Sequence, residues 1–307
     1  MTSIRAPSIP SPNDDRPTIR VLGIPMDLGQ LQRGVDMGPS AIRYAGLTAR
    51  LTRLGHRVED SGNLNVPAHV SVPEPLLLPT IARICEETYN HASQAIATHR
   101  IPLFLGGDHS VSIGTIGGVT HGRPTGVLWI DAHGDFNTPE TSITGNVHGM
   151  PLAILLGRGE PTLVDVGRPG PKLRPADVAV LGLRQLDPRE RELLKSSGTN
   201  LFTMRDIDEL GASNVLRQAL ASLGHVPHLH VSLDMDAVDP AEAPGVGTAV
   251  RGGLTYREAQ LLMEIIADTG KLASMDVVEV NPVLDCDNRT ARIAVELVSS
   301  AFGKAIL

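Results

Sequence analysis

The sequence predicts one α/β domain built on a mostly parallel sheet with helices covering both faces. Two observations carry that prediction. Short apolar runs alternate with stripes of helical period from Ile19 to Phe302, and the alternation continues without a break in composition. The runs are also apolar on both sides rather than alternating, as strands buried on both faces must be. With 307 residues, 41% of them hydrophobic, the chain can bury a sizeable core.

Each element follows from its local pattern. Ile19–Ile24 is a short, mostly apolar run that ends at Pro25, and it predicts the first strand. A loop with Gly29, Gly34 and Gly38 follows. Pro39 can open a helix over Ser40–Leu54, because its missing N–H is not needed there. A brief strand is expected near Val58. After Pro79, the positions Ile81, Ile84, Cys85, Thr88, Ala92, Ala95 and Ile96 recur at spacings of three and four and define one helical face. Ile101–Leu105 is a strand closed by Gly106-Gly107, and Ser110–Val119 a helix. Gly126–Ile130 is a strand closed by Asp131, and Met150–Leu156 is helical. Val178–Leu183 is a strand closed by Arg184, with a charged helix from Asp187. Leu201–Thr203 is a short strand, Ile207–Leu223 a helix, and Leu229–Leu233 a strand closed by Asp234. Tyr256–Ile266 is a helix, Ala273–Val280 a strand, and Asn288–Phe302 a final helix with Asp287 as its expected N-cap.

Composition removes several function classes. Net charge is −7, no Lys/Arg block stands out and aromatics are only 3%, so nucleic acid is not an expected partner. No stretch is long and apolar enough to span a bilayer. Residues 1–17, with Pro7, Pro10, Pro12 and Pro17, read as a disordered tail rather than a signal peptide, and 18–307 as the folded domain. Cys85 and Cys286 are the only cysteines, which suits a reducing cytoplasm and leaves no thiolate zinc site.

The polar residues that close the apolar runs carry the chemistry. His109, Asp131, Asp234 and Glu279 each sit at or just past the end of a run, and ligands of parallel sheets bind at the carboxyl ends of strands. Asp131, His133 and Asp135 are spaced i, i+2, i+4, and Asp234 and Asp236 i, i+2. On extended segments each set points to one side. His109 with these five gives four carboxylates and two imidazoles. That is too many for one zinc, and it is oxygen-rich in a way that suits a harder ion such as Mn²⁺. Two divalent ions would offset the clustered negative charge, and a water between them would ionise near neutral pH.

Four ordered motifs, GGDHS (Gly106–Ser110), DAHGD (Asp131–Asp135), SLDMDAVDP (Ser232–Pro240) and EVNP (Glu279–Pro282), resemble the signatures of the ureohydrolase superfamily and, within it, of the bacterial arginases. GIPMDLGQ (Gly23–Gln30), RGVDMGPSAIR (Arg33–Arg43) and GGLTYRE (Gly252–Glu258) extend the resemblance over nearly the whole chain. It implies a three-layer α/β/α sandwich, two Mn²⁺ per chain, and hydrolysis of L-arginine to L-ornithine and urea by a metal-bridging hydroxide. One ion would be held by His109, Asp131, Asp135 and Asp234, and the other by His133 and Asp236, with Asp131 and Asp234 shared. Glu279 would bind the guanidinium, His148 would pass a proton to the leaving amine, and Asp135 would accept one during attack. Asn137 and Thr144 would contact the α-carboxylate, and Asp187 the α-amine. Many relatives have Ser where Thr144 stands. A homotrimer or homohexamer is the implied assembly.

Other readings stand beside these. Asn137 and Thr144 are turn-forming types, Asp187 before Pro188 can cap the next helix, and Glu279 can pair with a buried Arg. Asp108 and Asp239 read as structural through backbone bonds. His228 and His230 read as packing, with no carboxylate or Cys beside them in the sequence, and Cys85 as core. The sequence does not assign Cys286. Two other activities fit parts of the pattern. An agmatinase or guanidinobutyrase would differ at Asn137, Thr144 and Asp187. A deacetylase-type zinc amidohydrolase would bind one metal and leave His109, Asp135 and Asp236 without one.

Overall fold

The computed structural model describes residues 17–67 and 76–305; all but Pro17 of the expected tail lies outside them. Its strands are β1 (Ile19–Ile24), β2 (Val58–Asn63), β3 (Ile101–Gly106), β4 (Thr125–Ile130), β5 (Val178–Leu183), β6 (Asn200–Thr203), β7 (His228–Asp234) and β8 (Leu272–Val278). They form one sheet in the order β2-β1-β3-β8-β7-β4-β5-β6. Every ladder is parallel, so the sheet is more uniform than the mostly parallel one expected.

The helices are α1 (Gly38–Tyr44), α2 (Leu47–Arg53), α3 (Leu78–Ala97), α4 (Ser112–Val119), α5 (Pro151–Leu155), α6 (Pro161–Val164), α7 (Pro188–Lys195), α8 (Met204–Leu210), α9 (Ala212–Ser222), α10 (Tyr256–Asp268) and α11 (Arg289–Ala301). Residues of α1, α2 and α8 to α11 pack with Leu128, Ile130, Val231, Leu233, Met275 and Val277 on one face of the sheet. On the other face α3 to α6 pack with Phe104 and Val278, and α4, α5 and α7 with Val127, Trp129 and Val180. This is the α/β/α sandwich. The stripe read on α3 is buried at Ile81, Ile84, Cys85, Thr88, Ala92 and Ala95. At about 1.5–3 kcal/mol for each large apolar side chain, that burial outweighs helix propensities of a few tenths per residue. No helix among the described residues is long and apolar enough to cross a membrane.

Three expectations are corrected. The helix expected over Ser40–Leu54 is two helices, because Gly46 turns left-handed (φ 91°) between them. Gly211 (φ 83°) divides the expected helix Ile207–Leu223 in the same way. The last helix takes Asn288, not Asp287, at its N-cap. Asp287 is left-handed there (φ 52°) and pairs with Arg292, while Asp285 accepts the Thr290 N–H at 2.9 Å.

Candidate metal centre and substrate cavity

The strands β3, β8, β7 and β4 are neighbours at the middle of the sheet, so their carboxyl ends lie side by side. Three of these ends finish in the same way. Asp108, Asp131 and Asp234 each accept the backbone N–H two residues on, from Ser110 (3.0 Å), His133 (2.6 Å) and Asp236 (2.7 Å). An aspartate that folds back on its own backbone makes a tight turn at no cost in unpaired donors. This corrects the extended geometry expected from the spacing. Asp236 lies in a 3₁₀ turn, Met235–Ala237, and Asp135 has a left-handed backbone (φ 48°). The ligands converge because the chain turns, not because it alternates.

The convergence is close. His109 Nδ1 lies 3.1 Å from Asp131 Oδ2, 3.0 Å from Asp135 Oδ2 and 3.1 Å from Asp234 Oδ2. His133 Nδ1 lies 3.5 Å from Asp131 Oδ1 and 3.0 Å from Asp236 Oδ2. His109, Asp131 and Asp135 form one group of convergent ligand atoms, and Asp131, His133 and Asp236 a second, with Asp131 in both. Around them the supports are buried. Trp129 stacks on His109 with ring centroids 4.2 Å apart, and its Nε1 donates to Asp131 Oδ2 at 2.9 Å. Ser232 Oγ holds His109 Nε2 at 2.9 Å. Arg184, at the end of β5, donates to the carbonyls of Asp236 (2.6 Å), Ala237 (3.3 Å) and Val250 (2.8 Å) and so fixes the turn that carries Asp236.

These residues fit divalent cations on two grounds. A ring nitrogen has one proton or one lone pair, yet three carboxylate oxygens crowd His109 Nδ1. In addition, Asp135 Oδ2 and Asp236 Oδ2 are buried without a hydrogen-bond partner. Burial, with repulsion from Asp131, raises Asp135 to about 7. Burial and repulsion from Asp236 and Asp131 push Asp234 well up, and burial raises Asp236. Burial opposes ionisation of Asp131 too, but His109 and His133 hold it well below the carboxylate range. Both imidazoles, despite burial, are held well above their ordinary value by these carboxylates. Four buried carboxylates can all ionise only beside compensating positive charge.

A cavity of about 180 Å³ opens above the cluster. It is lined by His109, His133, Asp135, Asp234 and Asp236 of the cluster, and by Asn137, Thr144, His148 and Asp187. Asp131 and Glu279 are not in the lining. Larger cavities exist, but the one of about 550 Å³ lies at the opposite ends of the strands, beside Ile101, His228 and Leu272. Asn137 Nδ2 donates to Asp187 Oδ2 at 3.2 Å. Asp187 also caps α7, its N–H donating to Glu190 Oε2 at 3.1 Å, so capping and a place in the cavity are compatible. Glu190 Oε1 accepts the Phe136 N–H at 2.9 Å and ties α7 to the ligand loop.

Glu279 lies one residue beyond β8 rather than within a strand, with a left-handed backbone (φ 62°). No arginine among the described residues pairs with it. Its Oε1 accepts the His109 N–H at 2.9 Å and lies 3.1 Å from His148 Nδ1. Burial disfavours a charged His148, but the bond to Glu279 wins and raises it to about 9. Non-glycine residues at positive φ are uncommon, and both Asp135 and Glu279 belong to this site.

The cavity also contains residues that sequence reasoning missed: Asn146, Gln185, Glu190 and Thr248. Gln185 directly follows Arg184 at a strand end, which was a readable signal; Thr248 had none. Among the described residues, His228 and His230 belong to neither ligand group. His230 nevertheless has a carboxylate partner from the next strand, with Nε2 3.2 Å from Asp276 Oδ2. Asp108 and Asp239 are bonded to backbone N–H groups, and Cys85 is buried.

Comparison with known proteins agrees with this geometry. Residues 17–303 match the model of the arginase family. An arginase of Bacillus subtilis is 48% identical over 94% of this chain and 99% of its own. One of Bacillus caldovelox is 46% identical over the same shares. The crystal structure of the Bacillus caldovelox arginase superposes with a TM-score of 0.92 at 45% identity, covering 95% of this chain and all of that one. With its parallel sheet and its Asp/His cluster at the strand ends, the chain belongs to the arginase family of hydrolases.

Proposed function

We propose that this chain hydrolyses L-arginine to L-ornithine and urea with two Mn²⁺ ions. One would be held by His109, Asp131, Asp135 and Asp234, and the other by His133 and Asp236 with Asp131 and Asp234 shared. The observation that carries the reading is the pair of ligand groups meeting at Asp131 beneath a cavity edged by Asn137, Thr144 and Asp187. Similarity to the Bacillus subtilis and Bacillus caldovelox arginases supports it. Two such ions supply Lewis acidity and bring the pKa of water in the site toward neutrality.

The protein's own groups do the rest. Hydrolysis adds water across the bond between the guanidinium carbon and the side-chain nitrogen. The water oxygen stays on urea, and the nitrogen leaves with its electron pair and takes a proton. A planar cation is best oriented by a fixed carboxylate, which is the role of Glu279. Asp135 accepts a proton from the attacking water. His148 holds the proton for the leaving nitrogen, in hydrogen-bond reach of Glu279. Asn137 and Thr144 read the α-carboxylate, and Asp187 the α-amine. The cytoplasm suits the two free cysteines, Cys85 and Cys286, and a homotrimer or homohexamer is the proposed assembly. Urea release from L-arginine, agmatine and 4-guanidinobutyrate with added Mn²⁺ tests the substrate. L-arginine should be fastest; faster release from agmatine would remove the assignment.

A further inference from the structure

Gln30 is a buried amide that the proposed reaction does not use. It is 2% exposed, and it lies in the loop between β1 and α1, far in sequence from everything it touches. Its Nε2 donates to Glu279 Oε2 at 3.0 Å. Its Oε1 is buried and has no hydrogen-bond partner among the described residues. The residue before it is clamped from both sides: the Gly29 N–H donates to Asp108 Oδ2 at 2.9 Å, and the Gly29 carbonyl accepts the His148 N–H at 2.9 Å. A side chain at Gly29 would meet Ser110 Oγ at 2.9 Å and Asp108 Oδ1 at 3.1 Å, so the loop packs closely there.

Around Glu279 the acceptor sites can be counted. A carboxylate offers about four lone-pair sites, two on each oxygen. One on Oε1 is taken by the fixed His109 N–H, and one on Oε2 by Gln30. The remaining one on Oε1 faces His148, and the remaining one on Oε2 accepts no hydrogen bond among the described residues. The open site on Oε2 can accept one guanidinium N–H in the carboxylate plane, and a second would have to displace His148 from Oε1. Two donors placed on opposite oxygens set that plane. Gly247 packs against the same pair: a Cβ there would lie 2.9 Å from both Gln30 Oε1 and Glu279 Oε2. Residues 30, 247 and 279 therefore form one close-packed corner, and the strained backbone of Glu279 (φ 62°) is held by it.

We propose that Gln30 is the positioning residue for Glu279: it fixes the rotation of the carboxylate, and with it the direction of the open Oε2 acceptor site that a guanidinium N–H would meet. The inference rests on the reading of Glu279 as the guanidinium carboxylate. A guanidinium substrate needs that orientation. A product amine held at the α-amino-acid end of the cavity does not. Gln30 thus acts on one end of the substrate and not on the other.

The test compares Gln30→Leu with Glu279→Gln and the unchanged Mn²⁺-loaded enzyme. Hydrogen bonds to a charged group are worth enough to change binding by about tenfold or more. In Q30L the KM for L-arginine should rise by about that factor, with a smaller change in kcat, while the inhibition constant of L-ornithine and the bound Mn²⁺ per chain stay as they were. Equal weakening of L-arginine and L-ornithine, or loss of metal, would mean a general structural role and overturn the proposal. An unchanged KM in Q30L with a large effect in E279Q would also overturn it, leaving the Glu279 reading intact. No effect in E279Q would remove that reading instead, and the proposal with it. Should Q30L not fold, Gln30→Asn keeps the amide but shortens its reach by one methylene, and the same comparison applies.

Discussion

His148 Nδ1 and Glu279 Oε1 lie 3.1 Å apart, at the foot of the turn Val147–Gly149 and just past the end of β8. The pair joins the proposed proton donor to the proposed guanidinium carboxylate, and its electrostatics can be measured. Burial works against the imidazolium, yet Glu279 raises His148 from 6.5 to about 9. A raised folded pKa means that the pair's stabilisation is full below 6.5 and fades as pH rises through about 9. In the metal-free protein an NMR titration of His148 should show the raised midpoint, and Glu279→Gln should return it toward 6.5. An unshifted midpoint in both proteins would show that the pair does not form in solution.

Trp129 supports two ligands at once, by stacking on His109 and by donating to Asp131 Oδ2. Trp129→Phe keeps the stacking and loses the N–H. Partners of this kind are typically worth about 10–100-fold in metal affinity. Calorimetric titration with Mn²⁺ should show weaker binding by at least the lower figure. Unchanged affinity would mean that the indole N–H is incidental to the centre.

Asn137 separates the reading of the amino-acid end from the chemistry. Its Nδ2 donates to Asp187 and its Oδ1 accepts from Thr141 Oγ1 at 2.9 Å, so the side chain is already oriented. Asn137→Ala should lower kcat/KM for L-arginine by about tenfold, the worth of a hydrogen bond to a charged group. Agmatine, which lacks the carboxylate, should lose much less. Parallel losses for both substrates would move the carboxylate contact elsewhere.

Two glycines test the fold rather than the site. Gly46 is left-handed, and a Cβ there would meet nothing within 4 Å. Gly46→Ala should therefore cost only the backbone term, about 1–2 kcal/mol. A Cβ at Gly107 would run into the backbone of Met26, which cannot swing aside. Gly107→Ala should cost more, as read from urea denaturation midpoints. Equal losses would contradict the close approach of the two segments.

The legibility of this protein divides along physical lines. Apolar runs mark strands buried on both faces, so β1, β3, β4, β5 and β7 were readable almost to the residue. The candidate metal ligands stood out because Asp131 and Asp234 interrupt that apolarity where the strands stop. Local geometry was not: the spacing suggested extended segments, and the aspartates instead bond their own backbone. Gly46 and Gly211 punctuate otherwise helical patterns, and only the φ they adopt shows that each ends a helix. Contacts between segments far apart in sequence left no local signal. Gln30 meets Glu279 and His230 meets Asp276 only because β1, β7 and β8 are assembled in one sheet.

The proposed machinery is a two-ion centre acting on L-arginine. It is tested most directly by following urea release from L-arginine as Mn²⁺ is added stepwise to the metal-free protein, with bound metal measured at each step. Activity should climb to a plateau at two ions per chain. A plateau at one ion, or no urea from L-arginine at any loading, would contradict it.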